Sequence, residues 1–158
     1  MSWESLAQVI PEGDRLLLDS TTLIAYFDGR ETISPVAQHI VDDLVRTGRN
    51  EAIVSMVTVM ELLVRPLRAS PAGYRHVLDF LTQWPHLRPL EIDLPTAQEA
   101  ASLRATYDFK SPDALIIATG LIAQVGHVVT NDERWKKRLS PMSSRVRVCY
   151  LTDYVRLP

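Results

Sequence analysis

Hydrophobic residues fall along this chain in two patterns that take turns. Short unbroken apolar runs occur at Arg15-Leu-Leu-Leu-Asp19, Glu51-Ala-Ile-Val-Ser55, Leu87 to Ile92, His127-Val-Val-Thr130 and Val146-Arg-Val-Cys-Tyr150. Runs of this kind suit strands buried on both faces of a parallel sheet. The segments between them carry apolar residues at helical spacing. Ser20-Thr21-Thr22 can cap a helix through Phe27 that stops near Asp28-Gly29. Ser34-Pro35 opens a second helix, with Val36, Ala37, Ile40, Val41, Leu44 and Val45 on one face as far as Gly48. Val57 to Leu67 predicts a helix carrying Glu61, which Pro66 ends or bends. Further helices are predicted from Ser70-Pro71 through Leu81, over 94–107, and from Ser111-Pro112-Asp113 to a stop at Gly126. Strands alternating with helices predict a three-layer α/β/α domain with a mainly parallel central sheet over residues 15–158. Residues 1–14 form an N-terminal extension, with Trp3, Leu6, Val9 and Ile10 suggesting a short helix or docking arm before Pro11-Glu-Gly13.

Composition narrows the class only modestly. The 158 residues, 46% apolar and 23% charged, fit one ordinary globular domain. Seventeen Lys and Arg against nineteen Asp and Glu leave a net charge of −2, unlike a strongly basic nucleic-acid module or an acidic disordered tail. The lone Cys149 supplies neither an internal disulfide nor a multi-cysteine zinc site, and in an apolar strand it reads as buried and inert. His39, His76, His86 and His127 are scattered without metal-ligand spacing. The apolar stretch from Ala114 to Val125 is interrupted by Thr119, Gly120 and Gln124 and falls short of the roughly 20 residues of a membrane span. The first residues, MSWESLAQVIPEGDR, lack a basic and then apolar leader, so a cytoplasmic protein is expected.

Four carboxylates change the picture. In an open parallel sheet, ligands bind beyond the carboxyl ends of the strands. Asp19 ends the first predicted strand, Asp132 follows the fourth, Glu61 lies early in the helix after the second, and Asp113 opens the most apolar helix. All four can meet at one sheet edge, where mutual repulsion calls for a neutralising cation. An all-oxygen donor set suits Mg²⁺ or Mn²⁺, and such ions activate water for displacement at phosphorus. Structural roles compete with this reading. Asp113 and Asp132 stand where helix caps stand, and Glu61 suits a solvated helix face. Asp19 is harder to set aside, because an aspartate closing a buried strand is costly unless it is paired or metal-bound.

The same residues carry a family resemblance. Leu17-Leu18-Asp19-Ser20-Thr21-Thr22-Leu23-Ile24-Ala25-Tyr26, Ser55-Met-Val-Thr-Val-Met-Glu61-Leu62, Ser111-Pro112-Asp113-Ala114-Leu115-Ile116-Ile117-Ala118-Thr119 and Val129-Thr130-Asn131-Asp132-Glu133-Arg134-Trp135 follow one another in order. Along residues 15–150 the sequence resembles the PIN-domain ribonucleases, in particular the VapC-type toxins of toxin–antitoxin pairs. Trp135 departs from the phenylalanine common at that point in the family, and the first 14 residues exceed the minimal domain.

The resemblance implies a divalent-metal-dependent endoribonuclease acting on single-stranded RNA. Asp19 and Asp113 would be the chief Mg²⁺ or Mn²⁺ ligands, and Glu61 and Asp132 would complete the shell and orient the attacking water. Thr130 and Asn131 would position Asp132, while Thr21 and Ser20 would hydrogen-bond a metal-bound water or simply cap their helix. A small cognate antitoxin and a homodimer, with its interface among the early helices, are implied as partners. Arg134, Lys136, Lys137, Arg138, Arg145 and Arg147, with Arg65 and Arg68, either hold RNA phosphates or form a solvated surface. Tyr74, Phe80, Leu81 and Trp84 read as core or as a partner-facing helix. Two other classes stay in view: a catalytically silent RNA- or protein-binding module, and a phosphatase with Asp19 as nucleophile. The latter wants a second aspartate two residues on, where Thr21 stands.

Overall fold

Five strands, β1 (Leu16–Leu18), β2 (Ala52–Ser55), β3 (Leu87–Leu90), β4 (His127–Thr130) and β5 (Arg147–Tyr150), build one sheet in the order β3-β2-β1-β4-β5. Every neighbouring pair is parallel, with Leu17 opposite Ile53 on one side and Val128 on the other. The structure is a computed structural model describing residues 5–155, so Trp3 of the N-terminal arm lies outside the described residues.

The helices are α1 (Leu6–Val9), α2 (Ser20–Asp28), α3 (Ser34–Gln38), α4 (Met56–Ala69), α5 (Pro71–Gln83), α6 (Leu94–Tyr107), α7 (Ser111–Ile122) and α8 (Glu133–Leu139). Alternation along β1 divides them into two layers. Leu16 and Leu18 face a core with Leu6, Leu23, Ile40, Leu62 and Phe80, whereas Leu17 faces Leu103, Ile117 and Trp135. The chain first steps from β1 to β2 to β3 with its helices on one face. It then returns to the other side of β1 and adds β4 and β5 with helices on the opposite face. Right-handed crossovers demand this change of face when the direction reverses. The reversal lies between β1 and β4, and in such sheets the ligand crevice opens there.

The predicted α/β/α architecture is therefore present, with local differences. The stripe from Ser34 to Val45 is not one α-helix. After Gln38 it widens into a π-helical segment, His39–Val45, closed by Arg46 N–H to the Val41 carbonyl at 3.0 Å. Pro66 does not end α4. It removes one internal donor, but Ser70 N–H still closes the following turn on the Pro66 carbonyl at 2.9 Å. The helix α7 stops at Ile122 rather than at Gly126, and Gln124 makes the reversal with φ 56°. Gly126 is needed for another reason, since a Cβ there would run into the Asp14 carboxylate. β3 ends two residues before Ile92, and β5 begins one residue after Val146.

The arm ahead of β1 is built into the core. Leu6 and Ile10 are fully buried, Arg49 Nη2 donates to the carbonyls of Ala7 (2.8 Å) and Ile10 (3.0 Å), and Asn50 Nδ2 donates to those of Pro11 and Asp14. Among the described residues, no helix is long and apolar enough to cross a membrane.

Candidate active site at the switch point

Asp19 leaves β1 at the switch point and N-caps α2, accepting from Thr22 N–H at 2.9 Å. Only 2% of the residue is exposed. Its carboxylate also accepts from Thr21 Oγ1 at 2.8 and 2.9 Å, from Thr22 Oγ1 at 2.9 Å and from Thr130 Oγ1 at 2.5 Å. Thr130 ends β4, the strand beside β1, so the sheet itself delivers this donor. Burial nevertheless pushes the Asp19 pKa above the usual carboxylate range, and the hydrogen bonds from Thr130, Thr22 and Thr21 only partly oppose it. Ser20 begins α2 beside this network and is half-buried.

Two of these hydroxyls continue the network outward. Thr130 Oγ1 accepts from Asp132 N–H at 3.0 Å, and Thr21 Oγ1 accepts from Asn131 N–H at 2.8 Å. Asp132 then N-caps α8 through Arg134 N–H at 2.8 Å, as its capping role anticipates. Its carboxylate is gripped by the Arg134 side chain, with Nη2 on Oδ2 at 2.5 Å and Nε on Oδ1 at 3.0 Å. That hydrogen bond is the main reason the Asp132 pKa falls below the usual range. Arg134 also lies within electrostatic reach of Asp113.

Asp113 occupies the first turn of α7 and is half-buried. Two turns on, Thr119 Oγ1 donates to Ser55 Oγ at the end of β2 (3.1 Å). The helix runs back toward the start of β4, so its first turn projects about 9 Å beyond that contact, over the carboxyl edge of the sheet. Glu61 lies in the second turn of α4, which packs against both α2 and α7. Neither Asp113 nor Glu61 makes a side-chain hydrogen bond or ion pair among the described residues. Asp19, Thr21, Thr130, Asn131 and Asp132 are thus joined in one network, whereas Asp113 and Glu61 have no side-chain bond to it among the described residues.

Thr22, Arg134 and Thr152 are members that sequence reasoning did not place. Thr22 adds a backbone and a hydroxyl donor to Asp19, and Thr152 fixes the Asn131 side chain. The cap positions flagged Thr22 only as part of a helix start. Arg134, two residues from Asp132, was countable among the bases but not as a partner.

Among the described residues, no three acidic, histidine or cysteine side chains are gathered closely enough to enclose a metal ion. Mg²⁺ does not need such an enclosure, since it keeps several waters and binds through one or two carboxylates. Asp19 and Asp113, neither of which has a cation bonded to it among the described residues, suit an open, water-completed site, whereas Asp132 is already committed to Arg134. The oxygen-only set accordingly fits a hard divalent cation.

A doubly wound α/β domain with a buried, hydroxyl-ringed aspartate at its switch point defines the class of protein. The sequence pattern of the PIN domain matches residues 16–138, and the chain belongs to the PIN domain family. A toxin–antitoxin complex from Klebsiella pneumoniae contains a chain of the same fold, with a TM-score of 0.66, 21% identity and 86% of this chain aligned to 97% of that one. VapBC2 from Rickettsia felis, bound to a DNA fragment from its promoter, gives a TM-score of 0.66 at 15% identity over 86% of this chain and 98% of that one. VapC20 of Mycobacterium tuberculosis, described as a sarcin-ricin loop cleaving toxin, gives a TM-score of 0.58 at 10% identity over 72% and 86% of the two chains. No curated protein matches the chain by sequence.

Proposed function

We propose that this protein is a divalent-metal-dependent endoribonuclease, the toxin of a type II toxin–antitoxin pair, working in the cytoplasm on RNA. The observation that carries this reading is Asp19: a carboxylate buried at the sheet's ligand crevice, held by donors from two strands' ends and without a positive partner among the described residues. Burying such a charge is costly, and a cation in the crevice removes the cost. Toxin–antitoxin complexes among the structures of like fold support the biological role and a small antitoxin as partner. A homodimer is part of the same proposal.

Asp19 and Asp113 would hold Mg²⁺ or Mn²⁺, with Glu61 and Asp132 at its margin. The cation would supply a lowered water pKa and charge stabilisation at phosphorus. The chain's own residues prepare that chemistry. Thr21, Thr22 and Thr130 fix both Asp19 oxygens, so the carboxylate is oriented before any ligand arrives. Arg134, largely exposed beyond its bond to Asp132, offers RNA phosphates a positive charge beside the acids. Of the other bases, Lys136, Lys137 and Arg145 are paired with Asp153, Glu133 and Glu99, whereas Arg65, Arg68, Arg138 and Arg147 make no ion pair among the described residues.

Incubation of single-stranded RNA with the purified protein and Mg²⁺ or Mn²⁺ tests the reading. Cleavage is expected, with a loss on the order of 10²-fold or more for Asp19→Asn and for Asp113→Asn. Cleavage that survives both substitutions and excess chelator would sink it. The Asp132–Arg134 pair favours a second reading, a catalytically silent module that keeps the fold for RNA or protein contact. RNA binding without cation uptake or cleavage would select that alternative.

A further inference from the structure

A cavity of about 730 Å³ opens next to the candidate site, with Glu31, Ile33, Asn131, Thr152, Asp153 and Val155 in its lining. Its volume is that of a pocket for a small organic group. Asn131 joins it to Asp19, because the Asn131 N–H donates to Thr21 Oγ1 at 2.8 Å and that hydroxyl donates to the Asp19 carboxylate.

The polar groups of the lining are not equivalent. Thr152 N–H can only donate, so its partner on Asn131 at 3.1 Å is the amide oxygen, which also accepts from Thr152 Oγ1 at 2.7 Å. The orientation of the amide is thereby fixed, and its NH₂ keeps two donors without a partner among the described residues. Asp153 is taken by Lys136 at 2.6 Å. Glu31 makes no side-chain hydrogen bond or ion pair among the described residues, so its carboxylate is a free acceptor of the lining, with the Thr32 hydroxyl and Asp153 Oδ1 beside it. Ile33 and Val155 supply apolar walls. An occupant must therefore present donors to Glu31 and an acceptor to Asn131, between apolar surfaces.

We propose that this cavity is a guanine pocket, which selects the nucleotide of the RNA that lies against Asp19. Guanine carries two adjacent donors, N1–H and the 2-amino group, beside the O6 acceptor on one edge. Glu31 accepts from the two donors, and the Asn131 NH₂ donates to O6. Adenine and cytosine offer a carboxylate only one such donor group, and uracil offers a single N–H between two acceptors, so each leaves hydrogen-bonding capacity unused. A phosphate is disfavoured by the two carboxylates of the lining. A guanidinium from a protein partner satisfies Glu31 but sets donors against the donors of Asn131. Single-stranded RNA exposes the base edge that such a pocket reads.

The proposal rests on the ribonuclease reading for its RNA context, but its test does not depend on cleavage. Isothermal titration of the full chain, without added cation, with GMP, IMP, AMP, CMP and UMP should show GMP binding about tenfold tighter than AMP, CMP or UMP. IMP, which lacks the 2-amino group, should fall between, and Glu31→Gln should bring GMP to the level of AMP. Amide NMR signals of Asn131 and Thr152 should move with GMP. Equal affinity for all the nucleotides, no detectable binding, tighter binding of the guanidinium probe agmatine than of GMP, or shifts confined to other parts of the chain would overturn the pocket. Selective GMP binding by a protein that cuts no RNA would support the pocket and overturn the nuclease reading. Cleavage without guanine selectivity would do the reverse.

Discussion

Donors from Thr21, Thr22 and Thr130 surround the Asp19 carboxylate, yet burial still holds its pKa above the usual carboxylate range. A carboxyl group with a raised pKa in the folded state binds its proton more tightly there than in the unfolded chain. Its contribution to stability is fully present below pH 3.8 and is lost as the pH rises through the raised value. Asp19→Asn removes the charge while keeping an acceptor for Thr22 N–H. At pH 7 this variant should melt higher than the wild type, by about 2–4 °C for each kcal/mol recovered. Mg²⁺ should raise the wild-type melting temperature and leave that of Asp19→Asn unchanged. A variant that melts lower would mean that the hydroxyl bonds outweigh the burial of the charge. Thr130 is the other residue on which the site turns, because its hydroxyl serves Asp19 and the Asp132 N–H together. Thr130→Val should cost about 1–3 kcal/mol in denaturant unfolding, with Thr130→Ser losing less. Equal losses for the two would assign the effect to side-chain shape rather than to the hydroxyl.

The short helix α1 lies ahead of the segment matched to the PIN domain, but its packing makes it part of the molecule's interior. Leu6 is fully buried in the same core as Leu16, Ile40 and Phe80. Leu6→Ala should destabilise the protein by about 2–5 kcal/mol, the range for a leucine lost from a packed core. A loss below about 1 kcal/mol, measured by urea unfolding, would show that the arm is peripheral. Other elements show where the hydrophobic pattern was sufficient. β1, β2 and β4 were readable because nothing polar interrupts them, and every residue of each is buried. β3 and β5 are the outer strands and carry the exposed Arg88 and Arg147, so their ends were harder to place. The end of α7 was misplaced because glycine usually marks a left-handed turn, whereas here Gln124 takes that conformation and Gly126 answers to crowding by Asp14. The widening after Gln38 had no signal in a pattern whose apolar stripe runs on unbroken.

Over the whole molecule, a net charge of −2 hides a division of labour. The carboxyl edge of the sheet holds the candidate site, and most of the basic residues after it are spent on local ion pairs. Asp19 and Asp132 were legible at that edge because each follows the readable end of a buried strand, whereas Glu61 and Asp113 lie within helices, where the pattern does not say how near they come to it. The pairing of Asp132 with Arg134 was not readable, because proximity in sequence does not tell which rotamer an arginine adopts. The opposite edge carries a second buried titratable group. His127 begins β4 with 2% of its surface exposed, and its Nδ1 meets Asp14 Oδ2 at 3.0 Å. Burial pushes its pKa below 6.5, with help from the Arg147 charge and against the attraction of Asp14. The folded protein therefore resists protonating His127, while the unfolded chain does not. Its contribution to stability is present above pH 6.5 and is lost as the pH falls through that value toward the lowered one. Unfolding free energies measured between pH 8 and about 5.5 should decline with a slope of no more than about 1.4 kcal/mol per pH unit from this one proton. His127→Gln should flatten the decline, and measuring both proteins in an Asp19→Asn background removes the opposing contribution of Asp19. Equal slopes for His127 and Gln at that position would mean that the buried imidazole accepts its proton in the folded state as readily as in the unfolded one, and that Asp14, not burial, controls it.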